Sequence, residues 1–397
     1  MDFRLSSEEE EQRKTVAEFV RDELVPLEPE FANAPDIFEG SRWKSRVKTS
    51  DDSEIKRYLA LMEGLEKKAE AKGLWRLDVP KEYGGAEISN VGMIAVTEEL
   101  EKTSIPFEFG NHVSNILYNC TGAQIDKYLW PCIRGEKTSA FGLSEPASGA
   151  DPSMLQTTAT PDGDDFVING SKMFPTFADV ADFVQLFARL PGTTGRDGVT
   201  CFLIDTGTPG YRVVRSIATI AGTEPCELVF DNCRVPKSQV LGEVGNGWAL
   251  NQAWLGNRRF QVGIRAHGKS KRLLRVVAHL LRNDDRAGKF CDRIGHFLGE
   301  LDALRTLTYL GAWKADQKLD VRAEAANVKL FGTELLHDVI DFALEVAGPT
   351  ALRRDHVLAR AFRHARATRI VEGPSEIQRH IIQRQLFREG VASLDLL

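Results

Sequence analysis

The sequence predicts a mainly helical protein that carries a β domain in the middle of the chain. Apolar residues recur at helical spacing through roughly the first third of the sequence. Short runs rich in β-branched and aromatic residues, separated by turn signals, occupy the middle, and the helical period then returns and continues to the end. Helices and strands that occur in separate blocks form separate packed units. The predicted domains are therefore 1–133, 134–245 and 246–397.

The N-terminal helices begin and end at recognisable signals. Ser6 and Ser7 precede an acidic first turn, which favours a helix start through side-chain capping and the helix dipole. A second long helix is predicted in SEIKRYLALMEGLEKKAEAKG, where Gly73 ends the apolar periodicity. The polar stretch between residues 31 and 53 is predicted to be a surface excursion.

The middle of the chain alternates strand-forming runs with turns. The runs are DFVING, DFVQLFARL, GVTCFLID, YRVVRSI and CELVFDNCRV. The turns between them contain PDGD, PGTTGRDG and TGTPG, whose Gly, Pro and Asp residues favour tight reversals. This arrangement predicts a small antiparallel β domain.

Composition places the chain among ordinary globular proteins. Of its 397 residues, 42% are hydrophobic and 27% charged, which is close to the average for such proteins. No apolar run approaches the roughly 18 residues of a membrane span, and the acidic N-terminus does not resemble a targeting leader. We therefore expect a cytoplasmic protein that has no membrane partner. The six cysteines are scattered and lack metal-ligand spacing, so we expect reduced core thiols and no metal site.

Charge is divided unequally along the chain. Residues 1–250 hold 26 Lys and Arg against 40 Asp and Glu, whereas residues 251–397 hold 25 against 17. A basic C-terminal part suits a polyanionic small ligand, because fixed positive charge offsets the cost of holding phosphates. A solvated basic helix face would explain the same counts. No clustered basic stripe is visible, so we do not expect nucleic-acid binding.

Two segments carry the clearest chemical signals. In FGLSEPASGAD, small residues and Pro predict a loop whose N–H groups and hydroxyl can closely approach a polar ring edge. In VEGPSEIQR, the carboxylate of Glu372 precedes Gly373-Pro374 and lies at a forced turn, which can project it into a cavity. The alternative is that Glu372 caps the next helix, although Glu376 is the more natural capping residue.

Four segments together resemble the acyl-CoA dehydrogenase family. Its members have an N-terminal helical domain, a middle antiparallel β domain and a C-terminal four-helix-type bundle, bind FAD, and usually form tetramers. The resemblance covers essentially the whole chain. The segments are WRLDVPKEYGGAEIS (75–89), SAFGLSEPASGADPSMLQTTA (139–159), VINGSKMFPT (167–176) and IVEGPSEIQRHIIQRQLF (370–387).

The resemblance implies the α,β-dehydrogenation of an acyl-CoA thioester to the trans-2-enoyl-CoA. Glu372 would take the α proton, and hydride would pass to flavin N5. A buried, apolar setting would raise the pKa of this carboxylate toward the working range. An electron-transfer flavoprotein would then accept the electrons.

The same resemblance implies which residues bind the cofactor. Phe141, Leu143 and Ser144 would line the flavin, and Phe174 would pack on its ring where the family usually has Trp. The hydroxyl of Thr176 would bond the polar edge of the ring. The remaining implied cofactor contacts are Pro175, Gly348, Pro374, Ser375 and Glu376.

The implied substrate residues are Ala150, Arg259, Gly373 and Arg384. Ala150 stands where the family commonly has a Ser that touches the thioester ligand, so that contact is lost or made otherwise. Arg259 corresponds to a family Arg near the nucleotide of coenzyme A, and Arg384 to an Arg on the ligand side. A planar guanidinium suits both tasks.

Several features leave other functions open. The family's Arg-x-x-Phe-Gly motif, which contributes to FAD across a subunit interface, is missing. The chain could therefore be a homotetramer or homodimer that holds FAD differently, or one subunit of a hetero-oligomer in which a related chain completes the site. A non-catalytic partner subunit, an acyl-CoA oxidase, a thioester-elimination enzyme and a flavoprotein associated with nucleic acid are the alternatives. The sequence does not indicate the length, branching or ring content of the acyl group.

Overall fold

The computed structural model describes residues 2–32, 34, 51–110 and 113–388. The surface excursion predicted between residues 31 and 53 lies mostly outside these residues. Within them the chain folds as helices, then a β-sheet, then helices. This is the order that the sequence predicts.

The N-terminal helices begin and end where the sequence signals them. Helix α1 starts with a capping box, in which the Glu9 N–H donates to Ser6 Oγ (3.2 Å) and the Ser6 N–H donates to Glu9 Oε2 (2.9 Å). The second long helix, α3, ends just before Gly73, whose φ of 73° favours glycine. The helices of this part are α1 (Ser7–Phe19), α2 (Glu28–Phe31), α3 (Ser53–Ala71), α4 (Asn90–Leu100) and α5 (Trp130–Ile133).

The middle of the chain forms one mixed sheet, with strand order β6-β7-β3-β2-β4-β5-β8 and β1 added beside β4. All five runs predicted from the sequence are strands. The prediction of antiparallel pairing holds except at β4, where β1 and the first residue of β2 pair in parallel. The strands are β1 (Ser139–Gly142), β2 (Thr158–Asp162), β3 (Asp165–Met173), β4 (Phe183–Arg189), β5 (Val199–Asp205), β6 (Tyr211–Ser216), β7 (Cys226–Pro236) and β8 (Val240–Leu241).

The C-terminal helices share one apolar core. Gly263 on the first long helix faces Val328 so closely that any side chain at position 263 would collide with it, and the two helices therefore pack tightly. Buried Phe260, Leu304 and Val339 belong to this core. The helices are α6 (Gly247–Leu281), α7 (Ala287–Asp316), α8 (Arg322–Ala347), α9 (Val357–Thr368) and α10 (Ser375–Arg388).

The first and last helical parts are joined directly. At the end of α7, Asp316 accepts hydrogen bonds from the Asn90 N–H (2.8 Å) and the Val91 N–H (3.1 Å) at the start of α4. The carboxylate thus satisfies N–H groups that have no partner within their own helix. Helix α4 is largely buried and packs against α1, α6 and α7. The sheet domain is therefore inserted between two halves of one helical body.

One prediction about the cysteines is wrong. Five of them are buried and free, but Cys291 is exposed, because its position on α7 faces outward. No helix among the described residues has both the length and the apolar character needed to cross a membrane. The described residues also contain no group of three or more His, Cys, Asp or Glu side chains that could bind a metal.

Candidate active site

A cavity of about 2020 Å³ opens where the three parts of the chain meet. Drug-sized ligands occupy roughly 300–1,000 Å³, so this space is large enough for a cofactor and a substrate together. Most of the predicted site residues line it. They are Phe141, Leu143, Ser144, Ala150, Phe174, Thr176, Arg259, Glu372, Gly373, Pro374 and Arg384.

Four predicted cofactor residues do not line this cavity. Pro175 is buried, and its carbonyl accepts a hydrogen bond from the Cys226 N–H (2.9 Å). Ser375 is also buried, and its hydroxyl donates to Glu334 (2.5 Å). Glu376 points outward with 77% of its side chain exposed. Gly348 ends α8 with a φ of 73°.

The loop that carries Leu143, Ser144 and Ala150 is held by a buried ion pair. Lys172 Nζ on β3 donates to Glu145 Oε1 (2.7 Å) and to the Leu143 carbonyl (3.1 Å). The other oxygen of Glu145 accepts from the Gln156 N–H (2.6 Å). Burial alone would raise the pKa of Glu145, but Lys172 and these hydrogen bonds outweigh burial and hold the pKa below its usual value. The loop is therefore fixed at the edge of the cavity.

Glu372 lies in the turn between α9 and α10. Its φ of 58° is unusual for a residue with a side chain, and the next residue, Gly373, has a φ of 91°. Two side chains hold this turn: Lys329 Nζ and Gln378 Nε2 each donate to the Gly373 carbonyl, both at 2.8 Å. The turn directs the Glu372 carboxylate into the cavity with only 11% of the side chain exposed. This matches the geometry predicted from Glu372-Gly373-Pro374.

Three cations surround this carboxylate. Arg258 Nε donates to Glu372 Oε1 at 3.3 Å. Arg259 is 6% exposed, and burial lowers the pKa of its guanidinium although Glu372 opposes the change. Lys329 is fully buried, and burial lowers its pKa to about 8, again against the attraction of Glu372. The surroundings of Glu372 are therefore strongly electropositive.

Sequence reasoning missed Arg258 and Lys329. Arg258 meets Glu372 across 114 residues of chain, and no local pattern signals such a contact. Lys329 could have been noticed, because it is a single charge within the apolar helical run AANVKLF. Buried lysines are rare unless they have a partner.

Aromatic side chains form another part of the cavity wall. Phe174 is 55% exposed, lies on the cavity surface and has a φ of 67°. Phe141 stacks on Trp254 of α6, with ring centroids 4.2 Å apart and an angle of 13° between the rings. Exposed aromatic surface of this kind suits contact with a flat ring system.

The wall also contains a group that suits an anionic ligand. Arg366 lines the cavity, and its Nη1 is buried without a hydrogen-bond partner among the described residues. A buried guanidinium N–H is costly unless a ligand accepts its hydrogen bond. Together with the aromatic surface, it fits a cofactor that has a flat ring and phosphates.

The chain has helices, then a β-sheet, then helices, and its large cavity is lined by a carboxylate and aromatic rings. This combination defines a class of cofactor-dependent enzymes. Three domain models of one family match the chain: the N-terminal domain of acyl-CoA dehydrogenase at 6–136, the middle domain at 140–233 and the C-terminal domain at 245–387. The chain belongs to the acyl-CoA dehydrogenase family. The predictions of an oxidoreductase and of FAD as its cofactor are confirmed by this membership.

Individual relatives match the chain over almost its whole length. It is 30% identical to the short-chain specific acyl-CoA dehydrogenase of Clostridium acetobutylicum, covering 98% of this chain and 100% of the relative. It is 31% identical to the (R)-benzylsuccinyl-CoA dehydrogenase of Thauera aromatica, with 98% of each covered. Among solved structures, the FAD complex of PigA matches with a TM-score of 0.81 and 26% identity over 98% of this chain and 100% of that one.

Proposed function

We propose that this enzyme dehydrogenates an acyl-CoA thioester between its α and β carbons, with Glu372 as the base that removes the α proton. One observation carries the proposal: the Glu372 carboxylate projects from a turn with positive φ into the cavity that Phe141, Ser144 and Phe174 also line. Holding a residue with a side chain at positive φ costs about 1–3 kcal/mol, and backbone strain of this kind is often retained at functional sites.

The chain supplies a base that is ready to accept a proton. An α C–H beside a thioester is a very weak acid, so a carboxylate must be ionised and within reach of it. Arg258, Arg259 and Lys329 favour the ionised form of Glu372 because they are positive. FAD, held by the residues that line the aromatic side of the cavity, would supply the acceptor for the hydride from the β carbon.

The cavity residues divide into two groups in this proposal. Phe141, Leu143, Ser144, Phe174 and Thr176 would hold the flavin ring. Pro374 would also contact the cofactor. Ala150, Gly373 and Arg384 would lie along the thioester and coenzyme A. Arg259, which the resemblance assigns to the nucleotide of coenzyme A, lies beside Glu372 and therefore close to the place of the α carbon.

Four cofactor contacts remain predictions with less support from their positions. Pro175, Ser375 and Glu376 lie outside the cavity wall, and Gly348 lies at the end of α8. Transfer of electrons to an electron-transfer flavoprotein and assembly as a homotetramer, homodimer or hetero-oligomer also remain proposals.

An anaerobic spectrum tests the proposed function. The protein expressed alone should show flavin absorbance that bleaches on addition of an acyl-CoA thioester. Glu372→Gln should keep the flavin absorbance but lose bleaching by at least about 10²-fold in rate, the lower end of the contribution of general acid–base groups.

Glu345→Gln is the matched control, because this carboxylate is half exposed on α8 and does not line the cavity. Bleaching that survives Glu372→Gln would overturn the role of Glu372. A colourless protein would instead favour a chain that needs a partner subunit to complete its FAD site.

A further inference from the structure

Arg258 connects the base to the aromatic wall of the cavity. Its Nε donates to Glu372 Oε1 at 3.3 Å, and its Cζ lies 5.1 Å from the centre of the Trp254 ring. Trp254 in turn stacks on Phe141. For Glu372 to reach an α carbon, the acyl group must lie against the same carboxylate. Arg258 is therefore an immediate neighbour of the acyl group.

Several cations meet at Glu372, and of these Lys329 is also attracted by Glu334 and Glu376. Among the described residues, Arg258, Arg259 and Lys329 all lie beside this carboxylate. The nearby Glu334 is paired elsewhere, because Arg369 binds it at 2.7 Å. Excess charge in a poorly solvated place is costly unless an ion of opposite sign compensates it. An anionic ligand group would supply that compensation.

Arg258 is the cation best able to change partners. Lys329 is fully buried and bonded to the Gly373 carbonyl, and Arg259 is 6% exposed. Arg258 keeps 33% of its side chain exposed and holds Glu372 through one long hydrogen bond. Its planar fork matches the two oxygens of a carboxylate.

The phosphates of coenzyme A do not explain this arginine. The base marks the position of the α carbon, whereas the phosphates lie at the far end of the pantetheine arm. An anion that reaches Arg258 must therefore belong to the acyl part of the substrate.

We propose that Arg258 binds a carboxylate in the acyl group, so that the substrates are coenzyme A thioesters of dicarboxylic acids. This inference rests on the proposed dehydrogenation and names its substrate class. Without substrate, Glu372 is the partner of Arg258. When the substrate carboxylate takes its place, Glu372 gives up this hydrogen bond, and its carboxylate can turn to the α carbon of the thioester.

Matched pairs of thioesters test this inference. Glutaryl-CoA and adipyl-CoA are compared with pentanoyl-CoA and hexanoyl-CoA, which have the same chain lengths but no carboxylate. In anaerobic flavin reduction by the intact enzyme, we expect the second-order rate constant of reduction to be at least about tenfold higher for the carboxylated members. Arg258→Met should lower this rate constant for these members by about 100-fold, and the preference should disappear. Arg258→Lys should restore part of it.

Arg212→Met is the control, because Arg212 is exposed on β6 and does not line the cavity. It removes the same charge and should leave the preference unchanged. Equal losses on both kinds of thioester in Arg258→Met would overturn the inference, since Arg258 would then act on the common thioester. A wild-type preference for the neutral members would overturn it even if Arg258→Met did not fold. If no thioester reduced the bound flavin, the proposed dehydrogenation would be wrong, and the inference that depends on it would be wrong too.

Discussion

Two carboxylates that line the same cavity, Glu145 and Glu372, each pair with a cation, and the two pairs differ in length and burial. The pair of Glu145 and Lys172 joins at 2.7 Å, with 3% and 0% of the side chains exposed. The pair of Glu372 and Arg258 joins at 3.3 Å, with 11% and 33% exposed. The first pair has further hydrogen bonds to the backbone, whereas the second borders open space. The comparison teaches that one kind of interaction can be short and buried where it fixes a loop, and long and partly exposed elsewhere on the same cavity.

The largest effect on the free energy of unfolding is expected when the buried pair of Glu145 and Lys172 is broken. Lys172→Met leaves the Glu145 charge buried without its cation, which costs about 3–5 kcal/mol. We expect the free energy of unfolding, measured by urea denaturation, to fall by this amount. The double variant Glu145→Leu with Lys172→Met should regain much of the loss, because no isolated charge remains. A loss below about 1 kcal/mol in the single variant would show that this pair is not structural.

The second largest effect on the free energy of unfolding is expected when acid protonates Glu145 of the buried pair. The folded-state pKa of Glu145 is held below its usual value, so the unfolded chain takes up its proton at higher pH than the folded one. The stabilisation is therefore complete above the ordinary pKa of about 4.3 and is lost as pH falls through the folded value. Urea denaturation between pH 7 and pH 3 should show this fall, and Glu145→Gln should make it shallower. An unchanged slope in that variant would assign the acid sensitivity to other carboxylates.

The smallest effect on the free energy of unfolding is expected when the pair of Glu372 and Arg258 is broken. Because Arg258 is one-third exposed, Arg258→Met should change the free energy of unfolding by less than about 1 kcal/mol. Thermal denaturation alongside Arg212→Met checks this, since both variants remove one arginine. A destabilisation like that of Lys172→Met would mean that Arg258 holds the turn and does not exchange partners.

The sequence predicts the parts of this molecule that local patterns encode. The helix start after Ser6, the end of α3 at Gly73 and the five strands all depend on neighbouring residues, and all are where the sequence indicates. The turn at Glu372 was predictable for the same reason, because Gly373-Pro374 follows it; the role of Glu372 as a base stays a prediction. Cys291 was assigned wrongly because the helical period of α7 does not by itself indicate which side of the helix faces outward.

The electrostatic surroundings of Glu372 could not be predicted from the sequence. Arg258 contacts Glu372, which lies 114 residues further along the chain. Lys329 contacts Gly373, which lies 44 residues further along the chain. Such contacts depend on how helices pack, and a cation on a helix has the same local signature whether it faces solvent or a buried carboxylate. The parallel pairing of β1 with β4 could not be predicted for the same reason, because it is a long-range contact.

The hydrogen bonds between Asp316 and the start of α4 have a consequence for biosynthesis. Asn90 and Asp316 are separated by 226 residues, so the sheet domain and α6 must be made before α4 can meet its partner. At about 5–20 residues per second, a ribosome needs roughly 10–45 s for that length. Throughout this interval, the largely apolar surface of α4 has no C-terminal helices to cover it. The apolar surface of α4 is therefore open to non-native contacts until the C-terminal helices have been made.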